Sequence, residues 1–125
     1  MANILVIDDD DGVRGSLEKI LLREDHDVLT AADGAEGMRI LREARPDLVV
    51  SDVYMPEMDG IELLIRIRDA DPDLPIIVIS GGGFAPADFV LEDASQLGAD
   101  AILSKPFERS VVLDTVRRVL EARSG

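Results

Sequence analysis

The sequence contains no cysteine, and His26 is its single histidine. The absence of cysteine excludes disulfide bonds, thiolate metal sites and thiol catalysis. His26 lies in the charged run Arg23–Asp27, which is typical of a surface loop rather than of a catalytic position. With this one histidine, the chain is not expected to carry or donate a group through imidazole chemistry.

Basic residues are also scarce, since 13 Lys and Arg face 26 Asp and Glu, for a formal net charge of −13. This excess of negative charge repels nucleic acid phosphates and anionic membranes, so we expect direct binding to neither. No apolar run approaches the roughly 20 residues of a membrane span. The N-terminus lacks the basic region of a signal peptide. Together these absences predict a cytoplasmic single domain.

Short apolar runs of strand length alternate with stretches of helical spacing. The runs are rich in Ile, Val and Leu, which is typical of parallel strands buried on both faces. They cover Ile4–Ile7, Val28–Ala31, Leu48–Val50, Ile76–Ile79 and Ala101–Leu103. Helical spacing follows each run, and the fourth predicted helix is marked by Val90, Ala94 and Leu97. Five βα units of this kind predict an open α/β sheet with helices on both faces.

Four of the five predicted strands run into a carboxylate, a hydroxyl or an ammonium group. Asp8 and Asp9 follow the first strand, and Asp52 follows the third. Ser80 follows the fourth strand, and Lys105 lies just beyond the fifth. Ligands bind such sheets outside the carboxyl ends of the strands, so these groups are the candidate site.

The residue types at this edge indicate phosphoryl chemistry. Three close carboxylates repel one another unless a cation lies among them, and hard oxygen ligands suit Mg²⁺. A carboxylate neutralised in this way can attack phosphorus, and Asp52 is the candidate nucleophile. Lys105, the Ser80 hydroxyl and backbone N–H groups near Gly81 would then stabilise the acyl phosphate.

Several ordered motifs resemble those of one family, the receiver domains of bacterial two-component response regulators, over essentially the whole chain. Tyr54–Gly60 follows the family pattern Asp-x-x-Met-Pro-x-Met-x-Gly that begins at Asp52. The other motifs are Ile4–Asp9, Pro46–Asp52, Pro75–Ser80, Gly98–Asp100 and Lys105–Phe107. The resemblance implies a doubly wound, flavodoxin-like (βα)5 fold of strand order 2-1-3-4-5. It also implies one receiver domain of the chemotaxis-regulator type over residues 1–125, without an output domain.

The resemblance further implies roles at the matching positions. Asp52 is similar to the phosphoacceptor, which receives its phosphoryl group from a histidine kinase or a histidine phosphotransfer protein. Asp9 and Asp52, with the backbone carbonyl of Tyr54, resemble the ligands of a Mg²⁺ cofactor. Asp8 resembles the residue that supports this ion through water.

The resemblance implies a signalling switch rather than an enzyme acting on a separate substrate. Lys105 resembles the phosphoryl contact, and Ser80 resembles the hydroxyl that moves toward the phosphoryl group. The signal would reach an unidentified downstream protein through the fourth helix, the fifth strand and the fifth helix. Two departures affect this route: Ile102 replaces the common aromatic residue, and Gly81–Gly83 begin an unusually long connection.

Two other interpretations of the same residues remain open. Asp9-x-Asp11-Gly12-Val13 resembles the nucleophile motif of haloacid-dehalogenase-type Mg²⁺ phosphatases, in which Asp9 would be the nucleophile. No acidic metal-binding motif follows Lys105, however, and the signature after Asp52 would be unexplained. The third interpretation is a receiver-like interaction module that is never phosphorylated, which the complete acidic, hydroxyl and ammonium set argues against.

Overall fold

A computed structural model describes residues 2–52, 60–80, 98–104 and 107–124 of the chain. The strands are β1 (Asn3–Ile7), β2 (Asp27–Ala31), β3 (Leu48–Asp52), β4 (Ile76–Ser80) and β5 (Ala101–Ser104). The helices are α1 (Asp11–Leu22), α2 (Gly34–Ala44), α3 (Gly60–Ala70) and α4 (Arg109–Ser124). The helix predicted around Val90 lies outside the described residues. The helix predicted near the end of the chain is α4.

The five strands form one sheet in the order β2-β1-β3-β4-β5. Every neighbouring pair in this sheet is parallel. The order reverses beside β1, which lies between β2 and β3, and this arrangement confirms the predicted doubly wound, flavodoxin-like fold. Because all strands run the same way, the polar residues that follow them collect at one edge of the sheet.

Alternate residues of each strand pack on opposite faces of the sheet, as the period of a strand requires. One core cluster joins β-strand residues such as Leu5 and Ile7 to α2 and α3, through Met38, Leu41, Leu63, Leu64 and Ile67. The other joins Ile4 and Val6 to α1 and α4, through Leu17, Leu21, Val112, Val116 and Val119. The central strands are therefore buried on both sides, which explains why their apolar runs barely alternate.

β3 extends two residues beyond the predicted strand, which ended with its apolar run at Val50. Ser51 pairs with both Ile7 and Val78, and Asp52 pairs with Ile79. Ladder pairing is a backbone property, so polar side chains at the end of the run do not terminate it. As a result, Asp52 is held by the sheet itself and not by a loop.

A capping aspartate begins α1. The Asp10 side chain accepts hydrogen bonds from the backbone N–H groups of Gly12 at 2.8 Å and Val13 at 3.2 Å. Asp10 therefore caps the helix, as a short carboxylate at that position commonly does. Among the described residues, no helix is both long and apolar enough to cross a membrane.

Candidate metal centre

The turn between β1 and α1 is pinned on both sides of Asp9. The fully buried Asp8 donates its backbone N–H to the Ala31 carbonyl at 3.1 Å. Its Oδ1 atom accepts the backbone N–H of Asp10 at 2.9 Å. Asp9 therefore lies between two fixed neighbours, while its own side chain is exposed.

Asp52 meets these two aspartates because β3 is the direct neighbour of β1. It is the last residue of β3 and is 4% exposed. Asp8, Asp9 and Asp52 can each place a carboxylate oxygen within 4.8 Å of the other two. The structure thus brings together three site residues that the sequence places at two separate strand ends.

The electrostatics of this cluster favour a bound cation. Two unit charges 4.8 Å apart repel by about 3.5 kcal/mol at an effective dielectric constant of about 20. Asp8 and Asp52 are both buried, so water screens that pair poorly. The three donors are all carboxylate oxygens, which suits a hard cation such as Mg²⁺ that retains part of its water shell.

Arg14 is a contact of this cluster that the sequence analysis did not single out. From the first turns of α1, its Nη1 atom donates to the Asp8 backbone carbonyl at 2.8 Å. Its Nη2 atom forms an ion pair with Asp11. The spacing of three residues between Asp11 and Arg14 indicates that ion pair, but not the reach back to β1.

The remaining predicted site residues are described in part or not at all. Ser80 ends β4, and its backbone is in register with Ser104 of β5. Lys105 and Tyr54 lie outside the described residues, as does the glycine run Gly81–Gly83. Their roles remain predictions.

A surface cavity elsewhere does not coincide with the acidic cluster. It measures about 560 Å³ and is lined by Leu41, Arg42, Arg45, Pro46, Ala70, Asp71 and Leu74. These residues precede β3 and β4, so the cavity lies at the amino edge of the sheet. The acidic cluster lies at the carboxyl edge, where such folds bind their ligands.

A model of the family described as response regulator receiver domain matches residues 4–117. The chain belongs to this family. The matched range contains Asp8, Asp9 and Asp52. It also contains the signature after Asp52 that the phosphatase interpretation leaves unexplained.

Relatives of this receiver domain differ greatly in length. Transcriptional regulatory protein AfsQ1 of Streptomyces coelicolor is 42% identical over 120 residues, which are 96% of this chain and 52% of that protein. Sporulation initiation phosphotransferase F of Bacillus subtilis is 32% identical over 122 residues, 98% of this chain and 96% of that protein. The chain thus spans about half of AfsQ1, and 26% of transcriptional regulatory protein GlrR of Escherichia coli.

Solved structures agree with the receiver-domain fold. The crystal structure of the receiver domain of NtrX from Brucella abortus matches with a TM-score of 0.89 at 32% identity. That match covers 94% of this chain and 98% of the NtrX chain. Chemotaxis protein CheY4 of Vibrio cholerae matches with a TM-score of 0.86, also at 32% identity. The chain therefore is a response regulator receiver domain of the kind found in two-component systems.

Proposed function

We propose that this receiver domain is a Mg²⁺-dependent phosphorylation switch whose phosphoacceptor is Asp52. The observation that carries the proposal is the cluster of Asp8, Asp9 and Asp52, with carboxylate oxygens within 4.8 Å of one another. Close carboxylates repel one another, and a cation among them relieves that repulsion, so a cluster in which Asp8 and Asp52 are buried supports a metal-dependent role.

The reaction proposed for Asp52 is a transfer of a phosphoryl group from nitrogen to oxygen. A carboxylate oxygen of Asp52 forms a bond to phosphorus as the P–N bond to the donor histidine breaks. The electron pair of that bond remains on the imidazole nitrogen, which takes up a proton. The product is an acyl phosphate on Asp52, and a later attack by water would release inorganic phosphate and restore the carboxylate.

Asp9 and Asp52 would hold Mg²⁺ with the backbone carbonyl of Tyr54, and Asp8 would act through water. When bound, this ion supplies positive charge that offsets the carboxylates and the incoming phosphoryl oxygens. The sheet contributes rigidity, since Asp52 is within a ladder and Asp8 is pinned to Ala31. A site on fixed strands costs little reorganisation when charge develops.

Lys105, which follows β5 in the chain, and Ser80, the last residue of β4, would act on the phosphoryl group. Lys105 would contribute an ammonium contact, and the Ser80 hydroxyl would move toward the phosphoryl oxygens. We propose that this movement changes the packing of three elements: the helix predicted around Val90, β5, and α4 near the end of the chain. Position 102 is an isoleucine, which packs against the core cluster shared with α2 and α3. Because it is not aromatic, the change would not involve the flip of an aromatic ring at that position.

The partners follow from the same chemistry. The donor would be a histidine kinase or a histidine phosphotransfer protein, and the recipient of the signal a downstream protein. The name of one relative, sporulation initiation phosphotransferase F, which is 32% identical to this chain, supports a role in phosphoryl transfer. The net charge of −13 argues against direct binding of nucleic acid or membrane, and we place the domain in the cytoplasm.

Phosphorylation by a small donor tests the proposal. Acetyl phosphate with Mg²⁺ should add one phosphoryl group, detected by intact mass, to the wild type but not to Asp52→Asn. Asp10→Asn is the matched control, because it removes a neighbouring charge while asparagine caps a helix as well as aspartate. A phosphoryl group on Asp9 in the Asp52→Asn variant would instead support the phosphatase interpretation. If the folded wild type is not labelled at all, the proposal is wrong and the result supports the third interpretation, an interaction module that is never phosphorylated.

A further inference from the structure

Arg68 of α3 binds oxygen atoms at the amino ends of both β4 and β5. Its Nη1 atom donates to the carbonyls of Leu74 at 2.7 Å and Pro72 at 2.9 Å. Its Nη2 atom donates to the carbonyl of Gly98 at 2.6 Å and lies 3.3 Å from Asp100 Oδ2. The Arg68 side chain is only 17% exposed, so one guanidinium fixes two loops that are far apart in sequence.

Asp100 connects this arginine to the backbone of β4. Its Oδ2 atom accepts the N–H of Ile76 at 2.9 Å, and its own N–H donates to the Ile76 carbonyl at 2.8 Å. We call these contacts of Arg68, Gly98, Asp100 and Ile76 the Arg68 clamp. The clamp holds the first residue of β4 against the residue that precedes β5.

Gly98 fits the clamp for two reasons. Its φ angle is +98°, a conformation that side chains other than glycine's rarely adopt. A Cβ atom at this position would also lie 3.0 Å from Arg68 Nε. The turn therefore accommodates both the backbone conformation and the close approach of the guanidinium.

β5 needs such a contact because the strand itself specifies its register weakly. It is a four-residue edge strand that pairs with β4 alone within the described sheet. Leu103 is its single fully buried side chain, while Ala101 and Ile102 are half-buried and Ser104 is exposed. Register is specified by buried side chains, and β5 has only one that is fully buried; a slip of one residue would reverse which side chains face the core.

The register of β5 matters for the site at the opposite edge of the sheet. The observed register pairs Ser80 with Ser104, and Lys105 follows Ser104 directly in the chain. A slip of one residue would displace the start of Lys105 by about 3.3 Å along the strand. Misplacement of a reacting group by about 1 Å can reduce a rate about 10²-fold.

We propose that Arg68 is a positioning residue for Lys105, acting through the register of β5 from the far end of the sheet. The inference rests on the proposed function, since it assigns Lys105 to the phosphoryl group. The proposal assigns a role in phosphoryl transfer to Arg68, a residue that contacts neither the metal nor the phosphoryl group. It predicts that loss of the clamp impairs phosphoryl transfer and leaves the carboxylates on β1 and β3 in place.

The test compares Arg68→Ala with the matched control Arg66→Ala. Arg66 lies on the same helix, is exposed, and forms one ion pair with Glu62 at 3.1 Å. We expect Arg68→Ala to lower the maximal rate of labelling by acetyl phosphate about tenfold or more, with unchanged Mg²⁺ affinity. Amide hydrogen exchange should accelerate at residues 101–104 and remain slow in β1. Arg66→Ala should match the wild type in all three measurements.

A folded Arg68→Ala variant that is labelled at the wild-type rate would overturn the proposal. So would a parallel loss of Mg²⁺ affinity and rate, because that result indicates a general structural role. If Arg68→Ala does not fold, Asp100→Asn replaces it: this variant keeps an oxygen for the Ile76 N–H but removes the charge facing Arg68. As expected for Arg68→Ala, Asp100→Asn should lower the rate of labelling by acetyl phosphate and accelerate hydrogen exchange at residues 101–104. No change in either quantity would refute the proposal.

Failure of the proposed function gives a different result. A wild type that is never labelled contradicts the role of Asp52. The exchange comparison at residues 101–104 then still decides whether Arg68 stabilises the pairing of β5 with β4. The two ideas are therefore separable in one set of samples.

Discussion

Replacing Asp9 by asparagine should stabilise the protein when no divalent cation is present. Asp9 makes no hydrogen bond or ion pair within the part of the chain that the structure describes, so the change removes charge without removing a contact. Carboxylate oxygens of Asp8, Asp9 and Asp52 lie within 4.8 Å of one another. At 4.8 Å, each pair repels by about 0.9 kcal/mol in bulk water and about 3.5 kcal/mol at an effective dielectric constant of about 20.

The expected gain in the free energy of unfolding of Asp9→Asn lies nearer the repulsion calculated for bulk water than the one calculated for the lower dielectric constant. Asp9 is exposed, so water screens its charge. Asp8 and Asp9 are also neighbours in the unfolded chain, where part of their repulsion persists. We therefore expect Asp9→Asn to raise the free energy of unfolding by about 1–2 kcal/mol in chelator at low salt.

Added Mg²⁺ should reduce or reverse the stability advantage of Asp9→Asn over the wild type. A ligand at 100 times its dissociation constant stabilises the native state by about 2.7 kcal/mol, and a site that lacks one carboxylate binds more weakly. Wild type should therefore gain more than Asp9→Asn from added Mg²⁺. Urea denaturation followed by circular dichroism, at constant ionic strength and with increasing Mg²⁺, measures both effects.

Asp73→Asn is the control for net charge. Asp73 is exposed in the loop between α3 and β4, and its side chain makes no hydrogen bond or ion pair within the described residues. This variant should gain little stability and should respond to Mg²⁺ as the wild type does. The reasoning is refuted if Asp9→Asn in chelator is no more stable than Asp73→Asn, or if no Mg²⁺ concentration stabilises the wild type.

Two further predictions concern packing and pH. A Cβ atom on Gly37 would lie 2.5 Å from Cδ1 of the fully buried Ile7, whereas one on Gly15 would meet nothing within 4 Å. Thermal unfolding should therefore show Gly37→Ala destabilised by about 1–2 kcal/mol and Gly15→Ala stabilised by about 0.5–1 kcal/mol; equal shifts would contradict the packing argument. Burial, and then the positive N-terminus, lower the pKa of His26, whose Nδ1 accepts the Ala2 N–H at 3.1 Å. Its contribution to stability is present above about pH 6.5 and is lost as pH falls through the lowered pKa, so the wild type should lose stability relative to His26→Gln on acidification.

Much of this protein could be predicted from the sequence, because the signals are local. The apolar runs and the helical spacing between them depend on residues a few positions apart, and they predicted the strands and the βα alternation. That Asp8, Asp9 and Asp52 lie at the same edge of the sheet was also predictable, since each stands at or just after the end of an apolar run and parallel strands end at one edge.

The tertiary structure decided which of these groups touch. Asp52 meets Asp8 because β3 lies beside β1, a pairing between segments 44 residues apart that no local pattern encodes. Arg14 is a different case: it lies only six residues from Asp8, but its bond to the Asp8 carbonyl depends on the turn between β1 and α1. Arg68 is the clearest case: its partner Gly98 lies 30 residues away in sequence. A guanidinium has five donors that can serve any nearby oxygen, so its partners depend on the folded positions of the loops and not on its sequence neighbours.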